Sequence, residues 1–179
     1  MSVDNAAGTA AVESTITAPR PPRDRRLWLL AIAVAVIALD RLTKWLVATH
    51  IALDSAVSVI PHIFRISHVD NQGAAFSMFD NARSPEHVRW MLLGFSLLAA
   101  VVVLVFLVKL GRRFTPTSIA LALILGGALG NAWDRLRYGA VIDFLEVHIV
   151  HYHWPDFNIA DSAIVIGGIL LFLDAMRSS

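Results

Sequence analysis

Two aspartates stand among apolar residues at separate places in the chain. Asp143 follows Ala140, Val141 and Ile142 and precedes Phe144 and Leu145. Asp161 sits in Phe157–Ser162, where an apolar run begins. Desolvation disfavours a carboxylate, so the surroundings of Asp143 push its pKa up. If the two carboxyls meet, both cannot ionise, and one keeps its proton. Such a pair hydrolyses amides. The ionised partner takes a proton from water, and the protonated one polarises the scissile carbonyl and donates to it. The pair titrates as a unit, and the residues alone leave open which is base and which is acid.

Other chemistries are poorly supplied. There are no cysteines, which removes disulfides, thiol nucleophiles and thiolate metal sites. Ser77 and Ser162 lack an arranged base and orienting acid, no GxSxG occurs, and no SxxK motif supports Lys44 as a serine activator. His148, His151 and His153 raise a zinc reading. Their spacing matches no closed site and no HExxH occurs, so they are expected to be interfacial or loop histidines. No metal or cofactor is expected.

Further polar residues stand close to the apolar runs. Asp40 and Lys44 are i,i+4 and share a helix face, as a structural ion pair or as direct contacts to substrate or lipid. Arg41 points elsewhere and is expected to snorkel to head groups. In the stretch Gly126–Phe144, Gly126 and Gly130 form a small-residue face for close helix packing, and Gly167 with Gly168 allows another. Asn131 and Asp134 are i,i+3, and Arg135 is expected to hold Asp134 ionised, bracing the helix end. Asn158 and Asp161 are also i,i+3 and are expected on one face of the last helix. Asn71 offers a two-sided amide, and Gly73 permits a turn or close approach.

These residues need a membrane scaffold. The chain has 179 residues, 56% hydrophobic and 16% charged, too apolar for an ordinary soluble domain. About 20 apolar residues cross a bilayer core. Spans are expected at about 27–48, 88–108, 114–133 and 157–176, with outer loops at 49–87 and 134–156. Arg20, Arg23, Arg25 and Arg26 precede the first span, Lys109, Arg112 and Arg113 lie between the second and third, and Arg177 follows the fourth. By the positive-inside rule both termini are cytoplasmic. Trp28, Trp45, Trp90, Trp133 and Trp154 fall near the expected interfaces. A secretory signal peptide would also begin with basic residues and an apolar core, but the first run resumes after Lys44 without a small-residue cleavage site. Residues 1–26, rich in Ala, Thr, Pro and Arg, are expected to be a disordered tail, and 27–179 a single domain. The first outer loop carries β-prone residues from Val57 to Val69, with one or two strands interrupted at Pro61.

The motifs NQGAAFS (71–77), GGALGNAWDR (126–135), YGAVIDF (138–144) and FNIADS (157–162) closely resemble the lipoprotein signal peptidases, the type II signal peptidases of bacteria. The resemblance runs from the first span to the fourth, and Asp40 and Lys44 also match. It implies an all-α, four-span inner-membrane protein with a small periplasmic β-rich cradle in the first outer loop. It further implies an aspartic endopeptidase that cuts diacylglyceryl-modified prolipoproteins just before the lipidated Cys. The catalytic pair lands on Asp143 and Asp161, at the periplasmic rim. Asp40, Lys44, Asn71, Gly73, Asn131, Asp134, Arg135 and Asn158 would bind substrate or support the pair. Membrane lipid is an expected partner, nucleic acid is not, and a monomer is expected. The alternative from the residues alone is a small ion- or proton-translocating membrane protein. Its acids should gather near the midplane, whereas these gather at the outer rim. A structural assembly factor, a third class, should tolerate Asn at the acids.

Overall fold

The structure, a computed structural model, describes residues 24–73, 85–150 and 152–178. Most of the expected tail, the segment that follows Gly73 and His151 lie outside the described residues.

The element order is α1 (Arg26–His50), β1 (Ala56–Ile60), β2 (Phe64–Asn71), α2 (Pro85–Leu110), α3 (Pro116–Arg137), β3 (Val141–Ile149), β4 (Tyr152–Phe157) and α4 (Ile159–Ser178). Among the described residues, three helical stretches are long and apolar enough to cross a membrane: Glu86–Leu110, Pro116–Arg137 and Ile159–Arg177. α1 has 25 residues but carries Asp40, Arg41 and Lys44 in its second half, so composition alone does not qualify it. Large side chains on α2 and α4, such as Phe95 (71% exposed) and Phe172 (65%), point outward. Exposed apolar surface on this scale is a liability in water and ordinary against lipid.

α3 is the central helix. Thr115 caps it through a reciprocal box with Ser118, and Pro116 opens it where a missing N–H costs nothing. Its small residues let neighbours close in. A Cβ on Gly127 would stand 2.3 Å from the carbonyl oxygen of Ala160 on α4, and one on Gly126 would stand 2.7 Å from that of Ala33 on α1. Gly167 of α4 meets Ile124 and the Ala120 carbonyl on α3, whereas Gly168 faces nothing within 4 Å. Gly127→Ala is therefore expected to destabilise the protein by about 1–3 kcal/mol, because a carbonyl cannot rotate away as a side chain could. Thermal unfolding in detergent would show it, and an unchanged midpoint would mean that α3 and α4 are not packed this closely.

The four strands form one antiparallel sheet in the order β1-β2-β3-β4. The mostly helical fold with a β-rich cradle in the first loop is as expected, and the second loop adds β3 and β4, half of the sheet. The turn after Ile60 contains Pro61, as expected. Gly139, with φ +86°, turns the chain from α3 into β3. Register shifts lie between Ile66 and Val69 on β2 and between Leu145 and Val147 on β3. Both fall just C-terminal to Asp143 on β3, where such irregularities re-aim side chains.

Candidate active site

The site forms where the sheet meets the ends of α1, α3 and α4. Asn158 is the residue before α4, and its side-chain oxygen accepts from the Asp161 backbone N–H at 2.9 Å. In return Asp161 Oδ2 accepts from the Asn158 backbone N–H at 3.2 Å. This is a reciprocal capping box, so Asn158 is a cap beside Asp161, not a helical neighbour on one face as the spacing suggested. The positive end of the α4 dipole also favours an anion at Asp161.

Three asparagine amides converge on the two carboxyls, and each has its orientation fixed by what its carbonyl oxygen accepts. Asn158 Oδ1 is occupied by the Asp161 N–H, which turns Nδ2 toward Asp143 Oδ1 at 2.7 Å. Asn71 Oδ1 accepts from the Gly73 N–H at 2.9 Å, which turns its Nδ2 toward Asp143 Oδ2 at 2.9 Å. Asn131 Oδ1 accepts from Lys44 Nζ at 3.1 Å and from Asn158 Nδ2 at 3.2 Å, and its Nδ2 donates to Asp161 Oδ1 at 2.7 Å. Every carboxylate oxygen of the pair thus has a donor. Asp143, outside the helices, has its pKa pushed up to about 7, mainly by burial and next by the nearby charge of Asp161.

Lys44 sits at the base of this network with none of its surface exposed. Its ammonium lies 2.8 Å from Asp40 and 2.7 Å from Asp134. The expected Asp40–Lys44 pair is present. Asp40 also accepts from the Ala160 N–H at 3.0 Å, in the first turn of α4.

Two expectations are corrected. Arg41 does not run to head groups: it pairs with Asp134 and reaches the Tyr138 hydroxyl at 3.2 Å. Asp134 is accordingly held by Lys44 and Arg41, and the Arg135 guanidinium instead donates to the Gly73 carbonyl at 3.2 Å. Adjacent helical residues point about 100° apart and do not face each other. One residue was missed altogether. Arg89 of α2 donates to the Arg135 and Leu136 carbonyls at 2.7 and 2.9 Å and closes the end of α3, where carbonyls lack helical partners. Nothing in the local spacing of Arg89 marked it.

A cavity of about 610 Å³ opens over the network, lined by Asn71, Asn131, Arg135 and Asp161 on its polar side and by Trp154, Phe157 and Val165 among its apolar residues. Asp143 is only 3% exposed and meets this cavity through its partner Asn71. A cavity with a wide apolar wall and a few convergent polar groups suits a mostly apolar ligand oriented by a few polar contacts.

The family model for signal peptidase (SPase) II matches residues 32–177. The chain belongs to the signal peptidase II family. It is 42% identical over 155 residues to a lipoprotein signal peptidase of Syntrophotalea carbinolica, covering 83% of this chain and 91% of that one. It is 45% identical over 148 residues to a lipoprotein signal peptidase of Paraburkholderia phymatum, with coverages of 83% and 87%. A solved structure described as a bacterial membrane enzyme, determined by the in meso method at 2.3 Å, superposes with a TM-score of 0.77 at 29% identity, covering 87% of this chain and 92% of that one. This signal peptidase II chain thus shares both sequence and fold over most of its length with membrane enzymes.

Proposed function

We propose that this signal peptidase II is an aspartic endopeptidase that uses Asp143 and Asp161 as its catalytic pair. As a member of the family it removes signal peptides from prolipoproteins. The observation that carries the aspartic reading is the convergence of three orientation-locked amides on two carboxyls at one cavity. A purely structural role would need no such cavity.

The groups divide their work as follows. Asp161, facing the cavity at the positive end of α4, is the ionised partner. It takes a proton from a water as that water attacks the scissile carbonyl. Asp143, buried and holding a proton near neutral pH, donates it to the carbonyl oxygen as the tetrahedral species forms. Collapse of that species breaks the C–N bond, and Asp161 passes the proton it took from water to the departing nitrogen. Asp143 takes back a proton from a hydroxyl of the tetrahedral species, which becomes the new carboxyl and returns the pair to its starting state. Asn71, Asn131 and Asn158 hold the carboxyls in place through all steps. Lys44 with Asp40 and Asp134 fixes Asn131, and Arg135 steadies the turn at Gly73.

The substrate would be a prolipoprotein carrying diacylglycerol on its lipobox Cys, cut just before that residue. The apolar wall of Trp154, Phe157, Ile164 and Val165 supports a lipid-bearing substrate. α1 would be the first of four spans, the net charge of its Asp40, Arg41 and Lys44 neutralised by Asp134 of α3. The termini would then lie on the cytoplasmic side of the inner membrane, with the site at the periplasmic rim and the chain acting as a monomer. The decisive comparison is cleavage by purified protein of a lipidated and an unlipidated prolipoprotein. Cleavage of the lipidated form alone is expected, and equal cleavage of both would remove the lipid from the recognition. An ion path is not favoured, because the polar groups gather at one end of the helices beside the sheet.

The pH dependence follows from Asp143. kcat/KM should fall as pH rises through about 7, when Asp143 loses the proton that it must donate. Folding responds in the same sense. The folded-state pKa lies above the ordinary value of 3.8, so stability drops as pH climbs from near 3.8 toward about 7 and levels off beyond. A pH profile flat from 6 to 8.5, an interval of roughly two to three units across that proton loss, would exclude Asp143 as the acid.

A further inference from the structure

The β3–β4 hairpin carries a cluster that the catalytic site does not use. His148 and His153 are directly opposite each other in the register of the two strands. Cross-strand partners put their side chains on one face, and Glu146, two residues before His148, shares it. His148 Nε2 lies 2.8 Å from Glu146 Oε1. His153 Nε2 lies 3.4 Å from the same oxygen and 3.3 Å from Asp156 Oδ1. The two imidazoles are nearly parallel, at 12°, with centroids 4.9 Å apart. One ligand atom from each of Glu146, His148 and His153 falls within 4.8 Å of the others.

We propose that Glu146, His148 and His153, with Asp156 beside them, form a binding site for one borderline divalent cation, zinc above all, on the outer hairpin of the sheet. Imidazole and carboxylate are zinc's ligands where no thiolate exists, at about 2.0–2.2 Å. Two ligand atoms on a tetrahedral ion at that distance stand about 3.3 Å apart. His153 Nε2 already stands at that separation from both carboxylates, and small rotations of two partly exposed rings complete the set. The surroundings fit as well. Arg65 occupies the other Glu146 oxygen at 3.0 Å, which leaves Oε1 to the cation. Ser67 donates to Asp156 Oδ2 at 3.2 Å, leaving Oδ1 toward His153. Partners of this kind orient metal ligands.

Sequence spacing did not show the site, because its ligands come together through strand register and Glu146 carries no motif. The bound ion has a stated consequence. Trp154, Pro155, Asp156 and Phe157 of β4 line the substrate cavity, so a cation that ties β4 to β3 stiffens that wall without touching Asp143 or Asp161.

The test is calorimetric titration of Zn²⁺ into the full chain in detergent, purified without a histidine tag, with Co²⁺ absorption as a second readout. The expected result is one Zn²⁺ per chain and the intense visible bands of tetrahedral or five-coordinate Co²⁺. Loss of a supporting partner alone weakens metal sites about 10–100-fold. The double variant His148→Gln/His153→Gln should therefore weaken Zn²⁺ binding about 100-fold or more and abolish the Co²⁺ bands. Glu146→Gln should weaken binding by at least about 10-fold, and His50→Gln on α1 should leave it unchanged. No stoichiometric Zn²⁺ binding by the unaltered chain, or an unchanged affinity in the folded double-histidine variant, overturns the site.

Discussion

Asp161→Asn and Asp143→Asn are each expected to lower kcat/KM for prolipoprotein cleavage by about 10⁴-fold, the upper range for losing an acid–base group. The two losses differ in kind. At 161 the amide cannot take a proton from water. It also places an NH₂ where both oxygens now accept donors, from Asn131 and from the Asn158 backbone, so one donor faces another. At 143 the amide cannot deliver a proton to the carbonyl, and again one oxygen that accepts from Asn71 or Asn158 is lost. Neither change alters side-chain size, so both variants should insert and show the same helix content. The double variant should be scarcely worse than either single one, since residues that act as a unit are not additive. The measurement is conversion of purified lipidated prolipoprotein, alongside circular dichroism of the same samples. Near-normal processing by either folded variant would remove the aspartic mechanism.

The largest loss of stability is expected from Lys44→Met. Lys44 is fully buried between Asp40 and Asp134, which are also fully buried. With Arg41 the four groups are neutral as a set. Without Lys44, among the described residues Asp40 keeps only the Ala160 N–H, and Arg41 alone answers Asp134. Removing one partner of a buried ionic group costs about 3–5 kcal/mol, because the remaining charge is uncompensated. Arg41→Met should cost less, since Arg41 is partly exposed and Lys44 still serves both acids. Thermal unfolding in detergent separates the two, and equal midpoints for Lys44→Met and the unaltered chain would refute the buried network. Lys44→Met should also slow catalysis where the protein is still folded. Asn131 then loses one of the two donors, Lys44 and Asn158, that fix which end of its amide faces Asp161.

What was legible in the sequence follows from distance along the chain. The Asp40–Lys44 pair is written in an i,i+4 spacing, and the apolar runs mark the long helices. The two acids stood out because their neighbours are apolar. The β2–β3 pairing was hidden, since two long helices separate those strands. So was the Arg41–Asp134 pair, whose members are 93 positions apart; sequence adjacency pointed instead to Arg135. The roles of Asn71 and Asn158 as oriented donors could not be read either, because the residue type does not say which end of an amide faces the acid. That is settled only when Gly73 N–H and Asp161 N–H take the other end.

The capping box at the start of α4 has a consequence for when the enzyme becomes dangerous to its surroundings. The bonds that begin that helix are the bonds that set Asp161 and turn Asn158 toward Asp143. Closing the first turn of the last helix therefore also sets half of the proposed catalytic pair, and that half is not in place while the turn is unwound. On the proposed mechanism, a chain caught midway through insertion carries no latent proteolysis. On that mechanism, competence arrives with the first turn of the last helix.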